Sequence, residues 1–232
     1  RWDDVMQFLV LMLVILALVA GPQLWVKRVI RRYSRPADRY EASGAQTARR
    51  LLDAHGLQTV AVESTEQGDH YDPAARAVRL SADNYHGRSL TATTIAAHEV
   101  GHALQDAEAY RPLRWRTQLV RWVAPLEKLG AGLMMGIPLI VGLTRLPFAG
   151  LLMFLGGFLT LGAAVAVHLL TLPTEFDASF GRAMPVLEKH GVLYRNDAPH
   201  ARRLLRAAAM TYVAASLMSL LNIARWWAIL RR

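Results

Sequence analysis

Two histidines and a glutamate occupy positions 98, 102 and 99 in the stretch "AAHEVGHALQ". On a helix, His98 and His102 lie one turn apart on the same face, so their imidazole nitrogens can bind one zinc ion. Glu99 points to the side of that face, where its carboxylate can take a proton from a water molecule. The pattern predicts a zinc-dependent hydrolase with Glu99 as the general base. The alternative is an ordinary helix whose histidines have no metal role.

A catalytic zinc ion takes three protein ligands and a water, so a third ligand is needed. Glu108 follows His98 by ten residues, but a continuous helix carries it about 15 Å along the axis, out of reach. His168 is an ionisable side chain inside a long apolar run, which makes it a functional candidate. His70 is a further alternative by residue type.

Glu175 is the third ligand that we favour. It lies in "LPTEFDAS", where Pro173 marks a helix start or a kink. Two apolar runs separate it from His102. If each run crosses a membrane, the chain returns to the side of the membrane that holds His98 and His102.

Other polar residues could support the site. Ser179 lies one helical turn beyond Glu175 and could bond the second ring nitrogen of a ligand histidine, as could Asp177. The oxyanion of the tetrahedral intermediate needs a donor, and His70, Tyr71 and Tyr212 are candidates by type.

Short local patterns predict the elements that hold these residues. "SGAQTARRLLDAHG" predicts a helix with Ser43 and Gln46 as a capping box and Gly56 at its end. We expect residues 91–109 to form the zinc helix and Pro112 to end it. "LQTVAVES" and "AVRLS" predict two strands that pair as a β-hairpin. We expect Val78–Ser81 to be an edge strand that pairs with extended substrate.

Long apolar runs suggest a membrane protein. Val5–Val26 contains 22 residues and Phe148–Leu172 contains 25, whereas Leu129–Thr144 and Ala207–Ala224 are shorter or weaker. About 20 apolar residues span a bilayer. We therefore expect a mainly α-helical integral membrane protein with a zinc-peptidase helix, a small β-hairpin, and a transmembrane hairpin before the third-ligand helix.

We expect five segments. They are an N-terminal transmembrane anchor (residues 1–26), a cytoplasmic zinc-peptidase portion (27–122), the transmembrane hairpin (123–172), a cytoplasmic third-ligand segment (173–206), and a C-terminal transmembrane or interfacial helix (207–232).

The formal charge of +9 does not indicate nucleic-acid binding. The basic residues cluster beside the apolar runs, where they predict lipid-headgroup contacts and a cytoplasmic site. Stacking aromatic residues do not alternate with them as a nucleic-acid groove requires. The chain contains no cysteine, which excludes disulfides and thiolate metal ligands.

Five blocks along the chain resemble one family. "DHYDP", "RLS", "AAHEVGHALQ", "PTEFDAS" and "AAAMTYVAA" occur in the order found in bacterial neutral zinc metallopeptidases of the YugP type, over about residues 27–222. The resemblance implies a membrane-bound zinc peptidase. Together with the apolar runs and the basic clusters, it predicts a multi-pass protein of the bacterial inner membrane with its active site on the cytoplasmic face. It also implies His98, His102 and Glu175 as zinc ligands and Glu99 as the base.

A wider similarity links the chain to the HtpX-like and prenyl-protein proteases. Their "Glu-x-x-Ala-Asp" motif matches Glu175 and Ala178, but Ser179 replaces the aspartate. Those proteases also carry a histidine near the end of the chain with an arginine six residues after it, and His200 and Arg206 have the same spacing.

The sequence therefore predicts a zinc endopeptidase that acts on a polypeptide substrate, either membrane-associated or cytoplasmic, and that also contacts the lipid bilayer. The alternative is a catalytically silent, zinc-stabilised membrane scaffold that binds partner proteins. The sequence assigns no oligomeric state.

Overall fold

The chain is mainly helical, with one small sheet. A computed structural model describes residues 2–144, 147–194 and 196–230. In chain order the elements are α1 Trp2–Tyr33, α2 Gly44–Ala54, β1 Ala61–Thr65, β2 His70–Asp72, β3 Ala77–Ser81, α3 Ala82–His86, α4 Leu90–Ala107, α5 Arg111–Thr144, α6 Pro147–Phe176, a π-helical segment Asp177–Ala183 (the π segment), α7 Met184–Lys189 and α8 Ala198–Leu230.

The chain divides into two compact units. One comprises Arg1–Tyr110 and Thr174–Ala214, and the other comprises Arg111–Pro173 and Ala215–Arg232. In the first unit, α4 packs against α2 and the π segment. The core of this unit is apolar and includes Leu51, Leu80, Val100, Met184 and Leu187.

Helix α2 begins and ends as its sequence predicts. The Ser43 hydroxyl accepts from the backbone N–H of Gln46 at 3.3 Å, and the Gln46 side chain accepts from the backbone N–H of Ser43 at 2.9 Å. Gly56 lies just beyond the helix with a φ of +74°, a conformation that favours glycine. The predicted capping box is confirmed.

The predicted β-hairpin between the first and last strands is wrong. Strand β1 pairs with β3 in parallel, with Ala61 opposite Ala77, and β2 pairs with β3 in antiparallel, with Tyr71 opposite Val78. The order is β1-β3-β2, so β3 is the central strand. The expectation that Val78–Ser81 is an edge strand is therefore also wrong.

A local turn explains this strand order. The Asp72 carboxylate accepts from the backbone N–H groups of Ala74 and Ala75, at 2.9 and 3.1 Å. Such a turn reverses the chain within a few residues. It makes β2 and β3 the hairpin, because the chain runs along β2 and returns directly along β3. Strand β1 then pairs with the other side of β3.

Helix α4 matches the predicted zinc helix apart from its end. The Ser89 hydroxyl accepts from the backbone N–H of Ala92 at 3.1 Å and caps the first turn. The helix ends at Ala107, and Ala109 has a φ of +57°. Pro112 does not end α4; it lies in the first turn of α5, where proline is tolerated.

The expectation of an integral membrane protein is wrong. Crossing a bilayer takes about 20 consecutive, predominantly apolar residues in one helix. Among the residues that the structure describes, no helix combines that length with that apolar character.

Glu175 lies at the end of a helix and not at the start of a new one. Pro173 is inside α6, which continues to Phe176 and passes directly into the π segment. The backbone N–H of Met184 donates to the carbonyl of Ser179, five residues earlier, as in a π-helix. The chain therefore runs through Glu175 and Ser179 without a break.

Candidate metal-binding and catalytic site

A close helix contact brings the two halves of the site together. Gly101 lies on α4 between the two histidines, and a Cβ atom there would lie 2.6 Å from the carbonyl oxygen of Ala178. Only glycine permits this approach without a shift of the backbone. The contact places the end of α6 and the π segment against the face of α4 that carries His98 and His102.

Three side chains converge across this contact. The Nε2 atoms of His98 and His102 lie 3.2 and 3.4 Å from Oε2 of Glu175. One ligand atom from each residue lies within 4.8 Å of the others. The arrangement joins residues that are 77 positions apart in the chain.

Glu175 is held as an anion inside the protein. It is 2% exposed. Burial by itself favours the neutral acid, but the hydrogen bonds and charges of His102 and His98 hold the pKa of Glu175 well below its ordinary value of 4.5. The carboxylate therefore presents its lone pairs to the two imidazoles.

Glu99 is buried next to the same cluster. Burial raises the pKa of its carboxyl group to about 7, and the nearby carboxylates of Glu175 and Asp69 act in the same direction. His98 and the backbone N–H of Tyr71 act against this increase. A divalent cation beside Glu99 would also lower its pKa. Glu99 thus lies close to both the histidine cluster and strand β2.

The second ring nitrogen of each histidine also has a partner. Nδ1 of His98 lies 3.1 Å from the Ser179 hydroxyl, and Nδ1 of His102 lies 2.9 Å from Oε1 of Gln105. Ser179 and Gln105 are fully buried. These contacts hold the two rings with their Nε2 atoms towards Glu175.

Comparison with known proteins gives the family. The model of a family described as "Putative neutral zinc metallopeptidase" matches residues 8–231. The chain is also 40% identical over 229 residues to "Putative membrane protease YugP" of Bacillus subtilis, covering 95% of each chain. The chain belongs to this zinc metallopeptidase family. The family predicted from the five sequence blocks is confirmed. No solved structure gives a significant match.

Zinc, the metal of this metallopeptidase family, fits the geometry of the cluster. Zinc lies about 2.0–2.2 Å from imidazole nitrogens and carboxylate oxygens, so tetrahedral ligand atoms are about 3.3–3.6 Å apart. The two nitrogen–oxygen separations, 3.2 and 3.4 Å, are close to that range. Two neutral imidazoles and one carboxylate are also a usual donor set for catalytic zinc.

Other candidate residues have different surroundings in this family member. Nδ1 of His70 lies 2.9 Å from the carbonyl of Gly68, and the Tyr71 hydroxyl donates to Oδ2 of Asp106 at 2.8 Å. Tyr212 is half-buried on α8, and His168 lies on α6 in the other unit. Among the described residues, the metal-binding cluster contains none of these four.

Two further candidates lie elsewhere in the metallopeptidase chain. Glu108 follows the last residue of α4, its side chain is 63% exposed, and it pairs with Arg182 at 2.7 Å. Among the described residues, the metal-binding cluster does not contain Glu108. Nδ1 of His200 lies 3.0 Å from the Tyr33 hydroxyl.

Gln105 is the buried polar residue that sequence reasoning missed. No motif considered above assigns a role to it. Its spacing of three from His102 was the available signal, since residues three apart on a helix are neighbours.

Proposed function

We propose that this chain is a zinc-dependent endopeptidase. The observation that carries the proposal is the convergence of His98 Nε2, His102 Nε2 and Glu175 Oε2 at separations that suit tetrahedral zinc. In this proposal these three residues are the zinc ligands. The peptidase portion comprises residues 27–122 and 173–206, which supply α4 and Glu175.

Glu99 moves the proton in the proposed reaction. When bound, zinc supplies a Lewis acid that polarises a carbonyl group and lowers the pKa of water. The Glu99 carboxylate accepts a proton from the water that attacks the scissile carbonyl carbon, and then donates it to the leaving amine nitrogen. Its position, one residue after His98 and buried beside the cluster, supports this role.

The proposed substrate is a polypeptide. The Bacillus subtilis relative is named a protease, and this chain matches it over 95% of its length. Only that part of the name is carried over, since no described helix of this chain is suited to cross a membrane.

The test is Glu99→Gln, compared with wild type for peptide cleavage and for bound zinc. The amide keeps the size of the side chain but cannot act as the base. We expect cleavage of an unstructured protein such as casein to fall at least about 100-fold, the lower end of a general base's contribution. We expect about one zinc per chain in both proteins.

The exposed Glu66→Gln is the matched control and should cleave like wild type. Cleavage by Glu99→Gln at the wild-type rate would contradict the mechanism. Zinc binding without cleavage in wild type would favour the catalytically silent scaffold instead.

A further inference from the structure

Gln105 makes an unusual set of contacts for a neutral side chain. It is 0% exposed. Its Oε1 lies 2.9 Å from Nδ1 of His102, and its Nε2 lies 2.8 Å from both the carbonyl oxygen of Thr174 and Oδ2 of Asp177. One amide therefore contacts three groups that lie on α4, at the end of α6 and at the start of the π segment.

These contacts show which atom of the Gln105 amide is the oxygen and which is the nitrogen. A carbonyl oxygen and a carboxylate oxygen are acceptors, so the group that faces Thr174 and Asp177 must be the NH₂ donor. The carbonyl oxygen of the amide then faces His102. Because that oxygen can only accept, Nδ1 of His102 must carry the proton in this contact.

In the neutral ring that a metal ion requires, a proton on Nδ1 leaves the lone pair on Nε2, whereas without a metal ion Nε2 must carry a proton to donate to Glu175. Nε2 is the atom of His102 that lies 3.4 Å from Glu175. We infer that Gln105 is a positioning residue, which holds His102 in the tautomer and orientation that present Nε2 to a metal ion. The inference rests on the proposed function, because it assumes that His102 is a zinc ligand.

The same amide also ties the third ligand to the zinc helix. Thr174 immediately precedes Glu175, and Asp177 follows it by two residues. Asp177 is itself held by Arg182, whose Nε donates to Oδ2 at 2.7 Å. Arg182 lies over the ring of Tyr110, with its guanidinium carbon 5.5 Å from the ring centre. Gln105 thus couples the orientation of His102 to the placement of Glu175.

Ser179 cannot do the same for His98. A hydroxyl both donates and accepts, so its contact of 3.1 Å with Nδ1 of His98 is compatible with either tautomer. The structure therefore assigns different roles to the two partners, and only the Gln105 contact specifies where the ring proton lies.

The test is Gln105→Met, which keeps the length and volume of the side chain but removes all three hydrogen bonds. Loss of such an outer partner typically weakens metal binding about 10- to 100-fold, and we expect a change of that size in the zinc dissociation constant. A competing chromophoric chelator measures this constant. The exposed Gln58→Met is the matched control and should bind zinc like wild type.

A second measurement separates positioning from general stability. In zinc-loaded, ¹⁵N-histidine-labelled protein, the Nδ1–H of His102 should exchange with solvent faster in Gln105→Met than in wild type. The Nδ1–H of His98 should be unchanged, because Ser179 is still present. Equal changes at both rings would indicate general loosening and would overturn the inference.

An exchange of donor and acceptor keeps the inference testable if Gln105→Met does not fold. Gln105→Glu alone replaces the NH₂ donor with a carboxylate oxygen, which then faces two acceptors, the carbonyl of Thr174 and the carboxylate of Asp177. Adding Asp177→Asn places an NH₂ donor opposite that carboxylate. We expect tighter zinc binding in the double variant than in the single one, and no recovery would overturn the coupling of residue 105 to the segment that carries Glu175. If wild type itself binds no zinc, the proposed function fails. If wild type binds zinc and Gln105→Met binds it equally well, only the role of Gln105 fails.

Discussion

At the scale of single residues, the site depends on one buried carboxylate. Glu175 contacts both histidines and is 2% exposed, so removing it leaves two imidazoles without their anionic partner. Two neutral imidazoles are a weaker zinc site than two imidazoles and a carboxylate, which also supplies negative charge.

Glu175→Ala should therefore lose zinc. We expect close to one zinc per chain in purified wild type and a clear loss in the variant, measured by elemental analysis after dialysis. Glu108→Ala is the matched control, because Glu108 is exposed and lies outside the cluster. Retention of zinc by Glu175→Ala would exclude Glu175 as a ligand and leave the histidine pair standing.

At the scale of elements, the contact between α4 and the π segment decides the geometry of the site. Gly101 allows the carbonyl of Ala178 to approach where a Cβ atom would lie 2.6 Å away. Ser179, which is the next residue, then reaches His98. The packing of the two elements and the contacts of the ligands are thus parts of one interface.

Gly101→Ala should separate these elements. A methyl group that meets backbone has no flexible neighbour to displace, so we expect a loss of about 1–3 kcal/mol in the free energy of unfolding and weaker zinc binding. Thermal unfolding and chelator competition measure the two effects.

Gly162→Ala, in α6, is the control. In the part of the chain that the structure describes, nothing lies within 4 Å of a Cβ atom at that position. Since alanine favours helix over glycine, it should leave stability unchanged or raise it by up to about 1 kcal/mol. A Gly101→Ala protein as stable as wild type, with unchanged zinc affinity, would contradict the proposed importance of the close approach.

At the scale of the whole first unit, an ion pair joins distant parts of the chain. Arg39 follows α1 and donates to Asp197 at 2.6 and 2.7 Å, just before α8 begins, and the Tyr40 hydroxyl donates to the same carboxylate. Although burial opposes ionisation of Asp197, the hydrogen bonds from Arg39 and Tyr40 lower its pKa below the ordinary 3.8.

This pair predicts a specific pH dependence of stability. Because the pKa of Asp197 is lower in the folded state, its carboxylate contributes stability above pH 3.8, and that contribution is lost as the pH falls through the folded-state pKa. Asp197→Asn should reduce the free energy of unfolding by about 1–2 kcal/mol at neutral pH. This range is lower than for a fully buried ion pair, because the side chain of Arg39 is 36% exposed and solvent screens its attraction to Asp197.

Thermal unfolding from about pH 7 to about pH 2.5 tests this prediction, since stability rises with pH wherever the unfolded state binds more protons. The difference in Tm between wild type and Asp197→Asn should be constant near neutral pH and should shrink below pH 3.8. The exposed Asp83→Asn is the control. A difference that does not depend on pH would show that the ion pair does not stabilise the unit.

Several features of this protein could be predicted from the sequence because they depend on residues that are close together in the chain. The capping box of α2 and the shared face of His98 and His102 depend on residues three or four apart, and helix geometry relates such residues directly. The five ordered blocks similarly predicted the family that the comparisons confirm.

The tertiary structure decided what depends on distant residues. The strand order was mispredicted because a side-chain turn at Asp72 determines which strands become neighbours. The membrane prediction rested on counting apolar residues along the chain, but among the described residues no helix has the length and apolar character to cross a membrane. The contacts of Glu175 and Gln105 join α4 to residues about 70 positions away, and the close packing of Gly101 against Ala178 brings those residues within reach. Sequence spacing carries no information on such packing, since it is determined by how the elements fit together in space.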